Sequence, residues 1–138
     1  MWIKKVTIKT DATKEQIWKL WTDVDNWNKW DKEVEFSELD GKFEVGIFGI
    51  LKPTKGPKSK FELISVDKLC EFTSRSFLPL TKMDFIHEME EKDGEIYITH
   101  GVKIRGLLTF LFSKVIGEKL VNELPKAMDN LSKMAKMI

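Results

Sequence analysis

Two runs of strict alternation, Met83 to Lys92 and Glu95 to Arg105, are joined by Asp93-Gly94, and they constrain the fold of this chain more than any other feature. Aspartate followed by glycine suits the positive φ angles of a two-residue hairpin turn, so the runs are read as antiparallel neighbours. Counting outward from Lys92 against Glu95 places Met89 against Ile98, His87 against His100, Phe85 against Val102 and Met83 against Ile104. That face is apolar except for two imidazoles. The reverse face carries Asp84 against Lys103, Glu88 against Thr99 and Glu90 against Tyr97, a polar surface with one complementary pair of charges. A three-residue loop would set Phe85 opposite Lys103 and mix the faces, so the two-residue register is retained.

The same arithmetic around Asp67-Lys68 predicts Phe61 with Ser74, Leu63 with Phe72 and Ser65 with Cys70 on an inward face continuous with the histidines. Ile64, Val66 and Leu69 then stand on the outer face, against their apolar character. Alternation over Val34 to Leu39, Lys42 to Leu51, Lys58 to Val66 and Leu69 to Phe77, with turns between, extends the hairpin into a meander. Trp2 to Thr10 is read as the first strand, not a secretory signal, because Lys4, Lys5 and Lys9 interrupt any apolar stretch. A short amphipathic helix follows, capped by Asp11 or Thr13 and running to Asp23, and then a Trp-rich turn from Asn26 to Asp31. Leu107 to Ile138 changes to a helical period with Leu120, Leu124, Met128 and Leu131 on one stripe, and Pro125 is expected to bend the rod. A curved antiparallel sheet around one long C-terminal helix, an α+β arrangement of about seven strands with two short helices after strand one, is the economical packing for a single domain of residues 1–138.

Charge narrows the partners. Lys plus Arg total 23 against 22 for Asp plus Glu, so no net field favours nucleic acid or an anionic membrane, and neither is expected as a partner. The most apolar stretch, Leu107 to Ile116, is about half the ~20 residues of a membrane span, which predicts a cytoplasmic protein without stable membrane insertion. The lone cysteine, Cys70, rules out an intrachain disulfide and a thiolate cluster, and is read as a small buried hydrophobe.

The inward surface combines Phe61, Leu63, Phe72, Met83, Phe85, Met89, Ile98 and Val102 with Leu124 and Met128 from the helix. Ser74, His87 and His100 are its sparse polar points, the composition of a small-molecule pocket; a core in which the two imidazoles hydrogen-bond each other is the alternative. Trp27 or Trp30 is a candidate for the pocket mouth, and the lysine-rich loop Lys52 to Lys58 for a gate over it. Two histidines without a third ligand do not make a metal site, and no cofactor is expected. An imidazole buried in apolar walls stays neutral and suits a general base, but Asp84 and Glu88, which flank His87, point to the opposite face and leave no carboxylate to orient it, so His87 and His100 are only candidate catalytic groups.

Ile17-Trp18 with Val24, Asn26-Trp27 and Trp30-Asp31, then Thr99-His100 with Gly106-Leu107, and last Gly117 with Leu124-Pro125 and Leu131 resemble the SRPBCC or START-like superfamily, polyketide cyclase/dehydrase type. The resemblance implies a helix-grip fold with a hydrophobic cavity between sheet and helix. Its members include lipid carriers, quinone-binding proteins, aromatase/cyclases and chaperone activators, so it specifies fold more than function. Binding of a lipid-like, polyketide-like or quinone-like small molecule is the first reading. A cyclase or dehydratase using His87 or His100 as base is the second, and a protein-interaction adaptor the third.

Overall fold

The structure is a computed structural model describing residues 1–138. Seven strands form one antiparallel sheet: β1 (Trp2–Thr10), β2 (Val34–Leu39), β3 (Phe48–Pro53), β4 (Ser59–Asp67), β5 (Glu71–Leu78), β6 (Thr81–Lys92) and β7 (Glu95–Gly106). Their spatial order is β1-β7-β6-β5-β4-β3-β2, a meander whose first strand returns to pair with the last. Helix α1 (Lys14–Thr22) and a 3₁₀ segment (Val24–Lys29) carry the chain between the two sheet edges. Thr13 caps α1 in a reciprocal box with Gln16, each side chain satisfying the other's backbone N–H. The C-terminal rod comprises α2 (Thr109–Phe112), a π turn (Ser113–Gly117) and α3 (Glu118–Ala135). It lies in the concave side of the sheet, as the helix-grip reading requires.

The β6–β7 register is the one derived from alternation, with His87 opposite His100 and Asp84 opposite Lys103. Asp93 and Gly94 both have positive φ, 53° and 78°, as a tight hairpin turn demands. The outer charge pair needs correction, however: the Asp84 carboxylate is buried and takes two hydrogen bonds from Arg75 of β5, at 2.7 and 2.9 Å, instead of pairing with Lys103. Arginine's planar fork matches both carboxylate oxygens, which a lysine cannot do.

The β4–β5 register differs from the arithmetic. Three residues, Lys68 to Cys70, turn between Asp67 and Glu71, with Leu69 in the left-handed region at φ 65°, and a bulge interrupts β4 between Leu63 and Ser65. Phe61 therefore faces Ser76, Leu63 faces Ser74, and Val66 faces Phe72. A shift of two positions preserves the face, so Phe61, Leu63, Phe72 and Ser74 still point inward and are buried. Past the bulge the pleat reverses. Val66 turns to pack on the core, and Ser65 turns outward to donate to Glu71 at 2.5 Å. Cys70 is exposed in the turn and is not the buried hydrophobe expected.

Strand β3 also starts later than the alternation from Lys42 suggests, because Gly41 and Gly46 break the backbone with φ of 137° and 93°. The apolar signal there belongs to Phe43, which reaches from the loop to meet Phe72 edge-on at 5.1 Å.

In the rod, Pro125 lies within α3, which continues to Ala135; the departure from α geometry is upstream, in the π turn. That turn ends at Gly117, where a Cβ would stand 2.8 Å from the Trp2 ring, so only glycine lets the rod approach β1 there. Met128, Leu131 and Ala135 are fully buried, whereas Leu120 and Leu124 are only partly so, contrary to a stripe buried along its whole length. In its first half α3 packs less deeply on the sheet, with Leu120, Val121 and Leu124 against Met83, Val102 and Ile104, and a small cleft remains beside Leu120 and Leu124. Leu131→Ala should accordingly cost about 2 to 5 kcal/mol, and Leu124→Ala under about 2 kcal/mol, in urea unfolding. Equal losses would mean that the cleft is closed in solution.

Candidate functional site

The cleft lies between β6, β7 and α3. Trp30, Asp31 and Glu33 form one wall, Phe85, His87, His100 and Gly101 the floor, and Leu120, Glu123, Leu124 and Ala127 the helical wall. Its volume is about 80 Å³. Beneath it the core is aromatic: Trp27 stacks on Phe61 and Phe72, and Trp21 meets Phe72 edge-on at 5.5 Å.

The hairpin register sets the two imidazoles side by side, with ring centroids 4.6 Å apart and planes at 68°. They are not hydrogen-bonded to each other. His100 Nε2 instead accepts from Trp21 Nε1 at 3.3 Å, which leaves the proton of the neutral ring on Nδ1. His87 lies flat on Phe72, centroids 3.9 Å apart; its Nδ1 is buried without a well-aligned hydrogen bond, although the backbone of Phe72 and Phe85 beside the ring favours its protonated form and partly opposes desolvation. The Trp30 indole stands edge-on to His100, and its Nε1 is likewise buried and unpartnered.

Burial dominates the electrostatics. Desolvation pulls the His87 pKa down to about 3, and it lowers that of His100 as well, aided by the neighbouring His87. Both rings are neutral at pH 7. Asp31 accepts the Glu33 backbone N–H at 3.1 Å, yet burial pushes its pKa up to about 6. Glu123 is shifted upward by desolvation and by the charge of Glu33, with Lys119 and Lys55 opposing. The rim is thus acidic, with Lys55 of the Lys52–Lys58 loop within electrostatic reach. No set of three His, Cys, Asp or Glu side chains converges to hold a metal ion.

No protein-family model matches the chain, and no curated protein does. Solved structures do. A di-domain aromatase/cyclase, StfQ from the steffimycin biosynthetic pathway, superposes with a TM-score of 0.80 at 8% identity, over 98% of this chain and 50% of that one. Norcoclaurine synthase from Thalictrum flavum, solved with dopamine and hydroxybenzaldehyde, gives 0.73 at 15% identity over 99% and 87%. Ara h 8.0201 gives 0.75 at 12% over 99% of each.

The chain has the helix-grip fold of these structures.

Within this helix-grip frame the expected site residues divide into two groups. Trp30, Phe85, His87, His100 and Leu124 meet at the cleft. Phe61, Leu63, Phe72, Ser74, Met83, Met89, Ile98, Val102 and Met128 are buried away from it. Those nine fill the concavity, because four tryptophans from the helical pair occupy space that an open pocket would need. Trp27 is core, and Trp30 alone of the two mouth candidates reaches the cleft. The acidic wall of Asp31, Glu33 and Glu123 was not anticipated as part of a site. The one available signal was adjacency, since Asp31 follows Trp30 and Glu123 precedes Leu124. Neither carboxylate bonds an imidazole, so no His–carboxylate pair forms.

Proposed function

We propose that this chain binds a small aromatic or apolar molecule that carries a polar group, seated in the cleft between sheet and C-terminal helix. The observation that carries this reading is a largely apolar cleft floored by two neutral imidazoles, His87 and His100, and walled by Trp30, whose Nε1 is buried without a partner. An unsatisfied buried polar atom costs about 1 to 3 kcal/mol, which a ligand with matching hydrogen-bonding groups recovers. Typical ligand pockets enclose roughly 300 to 1,000 Å³, so the 80 Å³ here accepts the polar edge of a ligand. Full seating requires the partly buried Leu120 and Leu124 to move aside. The norcoclaurine synthase structure, with its two aromatic guests, supports the chemical class by analogy of fold.

The acid–base reading has one observation of its own. An imidazole with a pKa near 3 is a poor base at pH 7, whereas Asp31, near 6, is matched to proton transfer at that pH. If the cleft catalyses a cyclisation or dehydration, Asp31 moves the proton and the histidines orient the substrate.

Titration with 4-hydroxybenzaldehyde and with toluene, followed by tryptophan fluorescence, tests binding. His87→Phe keeps bulk and removes the polar atoms, so it should weaken the phenolic probe by ~1 to 2 kcal/mol, about ten-fold, and leave toluene nearly unchanged; Trp30→Phe removes the Nε1 donor along with part of the wall and should weaken the phenolic probe more than toluene. Equal losses for both probes would make these residues structural only. No binding of either probe by the unaltered chain would remove the proposal.

A further inference from the structure

The end of the molecule where β5 turns into β6 and β7 runs into α2 is apolar and uncovered. Leu107, Phe110 and Leu80 are 78, 74 and 71% exposed, and Phe77, Leu111 and Val115 are exposed beside them. These side chains share one surface: the Leu107 backbone N–H donates to the Leu80 carbonyl at 2.9 Å, and Leu108 N–H to Thr81 Oγ1 at 3.1 Å. The rod is apolar on both sides here. Phe112 and Ile116 pack inward against Met83, Val102 and Ile104, while Leu107 in the preceding turn, Phe110 and Leu111 in α2 and Val115 in the π turn are exposed to solvent. A contiguous exposed apolar patch of this size is uncommon on a monomer and marks a surface that lacks its covering.

We propose that this tip docks on the surface of an anionic lipid bilayer. The surrounding charge selects that occupant. Phe77, Lys82 and Arg105 lie in one cross-strand row, Lys114 sits over the Phe110 ring at 4.4 Å, and there is no Asp or Glu between Arg105 and Gly117. A basic collar around exposed Leu and Phe matches an interface that is negative outside and apolar within. A second copy of the chain is disfavoured, because a two-fold contact would set Lys82, Arg105 and Lys114 against their equivalents. No helix is long and apolar enough to cross a membrane, so the docking is peripheral. It is independent of whether the cleft binds a ligand.

Co-sedimentation with phosphatidylcholine vesicles, with and without phosphatidylserine, provides the test. Binding is expected to the phosphatidylserine vesicles and should weaken in high salt. Leu107→Ser with Phe110→Ser should reduce partitioning about ten-fold or more with an unchanged melting temperature, since both side chains are exposed. Phe36→Ser, exposed on β2 at the far edge of the sheet, should have no effect. Failure of the unaltered chain to sediment, or undiminished binding by the double variant, would overturn the proposal. So would a solution dimer that the double variant dissolves, which would assign the patch to a second copy.

Discussion

Trp21→Ala is expected to destabilise the fold by about 3 to 5 kcal/mol, a large part of the ~5 to 15 kcal/mol that holds a typical domain together. Trp21 is fully buried in α1 and is surrounded by aromatic rings: Phe72, His87, His100 and Trp18 all lie with centroids within 6.2 Å of its own. Truncation removes this packing and also the Nε1 donor to His100, so a cavity and an unsatisfied imidazole nitrogen appear together. Trp21→Phe separates the two losses by retaining most of the packing while still deleting the donor. It should cost about 1 to 3 kcal/mol. Urea unfolding measures both, and a midpoint for Trp21→Ala close to the unaltered one would show that α1 is not docked on the sheet in solution.

Acidification from pH 7 to pH 5 should expose the second large effect. A histidine whose folded pKa is depressed is neutral in the folded chain but takes a proton in the unfolded one below about 6.5, so its contribution is lost as pH falls from there toward the folded value. For His87, held at about 3 by burial, the loss reaches roughly 2 kcal/mol at pH 5. His100 acts in the same direction. Asp31 opposes them: with its pKa raised to about 6, the folded chain binds that proton before the unfolded chain does, and the destabilisation it causes at neutral pH is relieved as pH falls from about 6 toward 3.8. Asp31→Asn should therefore raise stability at pH 7 by about 1 to 3 kcal/mol and make the acid loss steeper, while His87→Phe should make it shallower. Unfolding midpoints between pH 5 and 7.5 decide the matter, and an acid slope unaffected by His87→Phe would mean that this imidazole is hydrated and titrates normally.

The parts of the molecule that were legible beforehand are those governed by period and by turn chemistry. Asp93-Gly94 sets the β6–β7 register because a two-residue loop with two positive φ angles admits one pairing, and the juxtaposition of His87 with His100 follows from it. The β4–β5 register was not legible for the same reason inverted. Asp67-Lys68 carries no comparable turn signal, the left-handed residue is Leu69, and a bulge at Ile64 leaves no mark on the alternation except the apolar Val66 on what looked like the outer face. Phe43 misled the β3 boundary by supplying a core side chain from a loop.

The sequence by itself determined a curved antiparallel sheet around one C-terminal helix and the facing histidines, since alternation, a helical stripe and one glycine turn are local consequences of backbone geometry; the helix-grip name came from the family resemblance. Tertiary structure alone decided how much of the concavity stays open, which indole satisfies His100, and that Asp31, Glu33 and Glu123 wall the same cleft. Those outcomes depend on how far the helical pair and the C-terminal rod settle into the curved sheet. That is a balance of side-chain volumes and desolvation between residues up to 122 positions apart, for which no periodicity in the chain provides a measure.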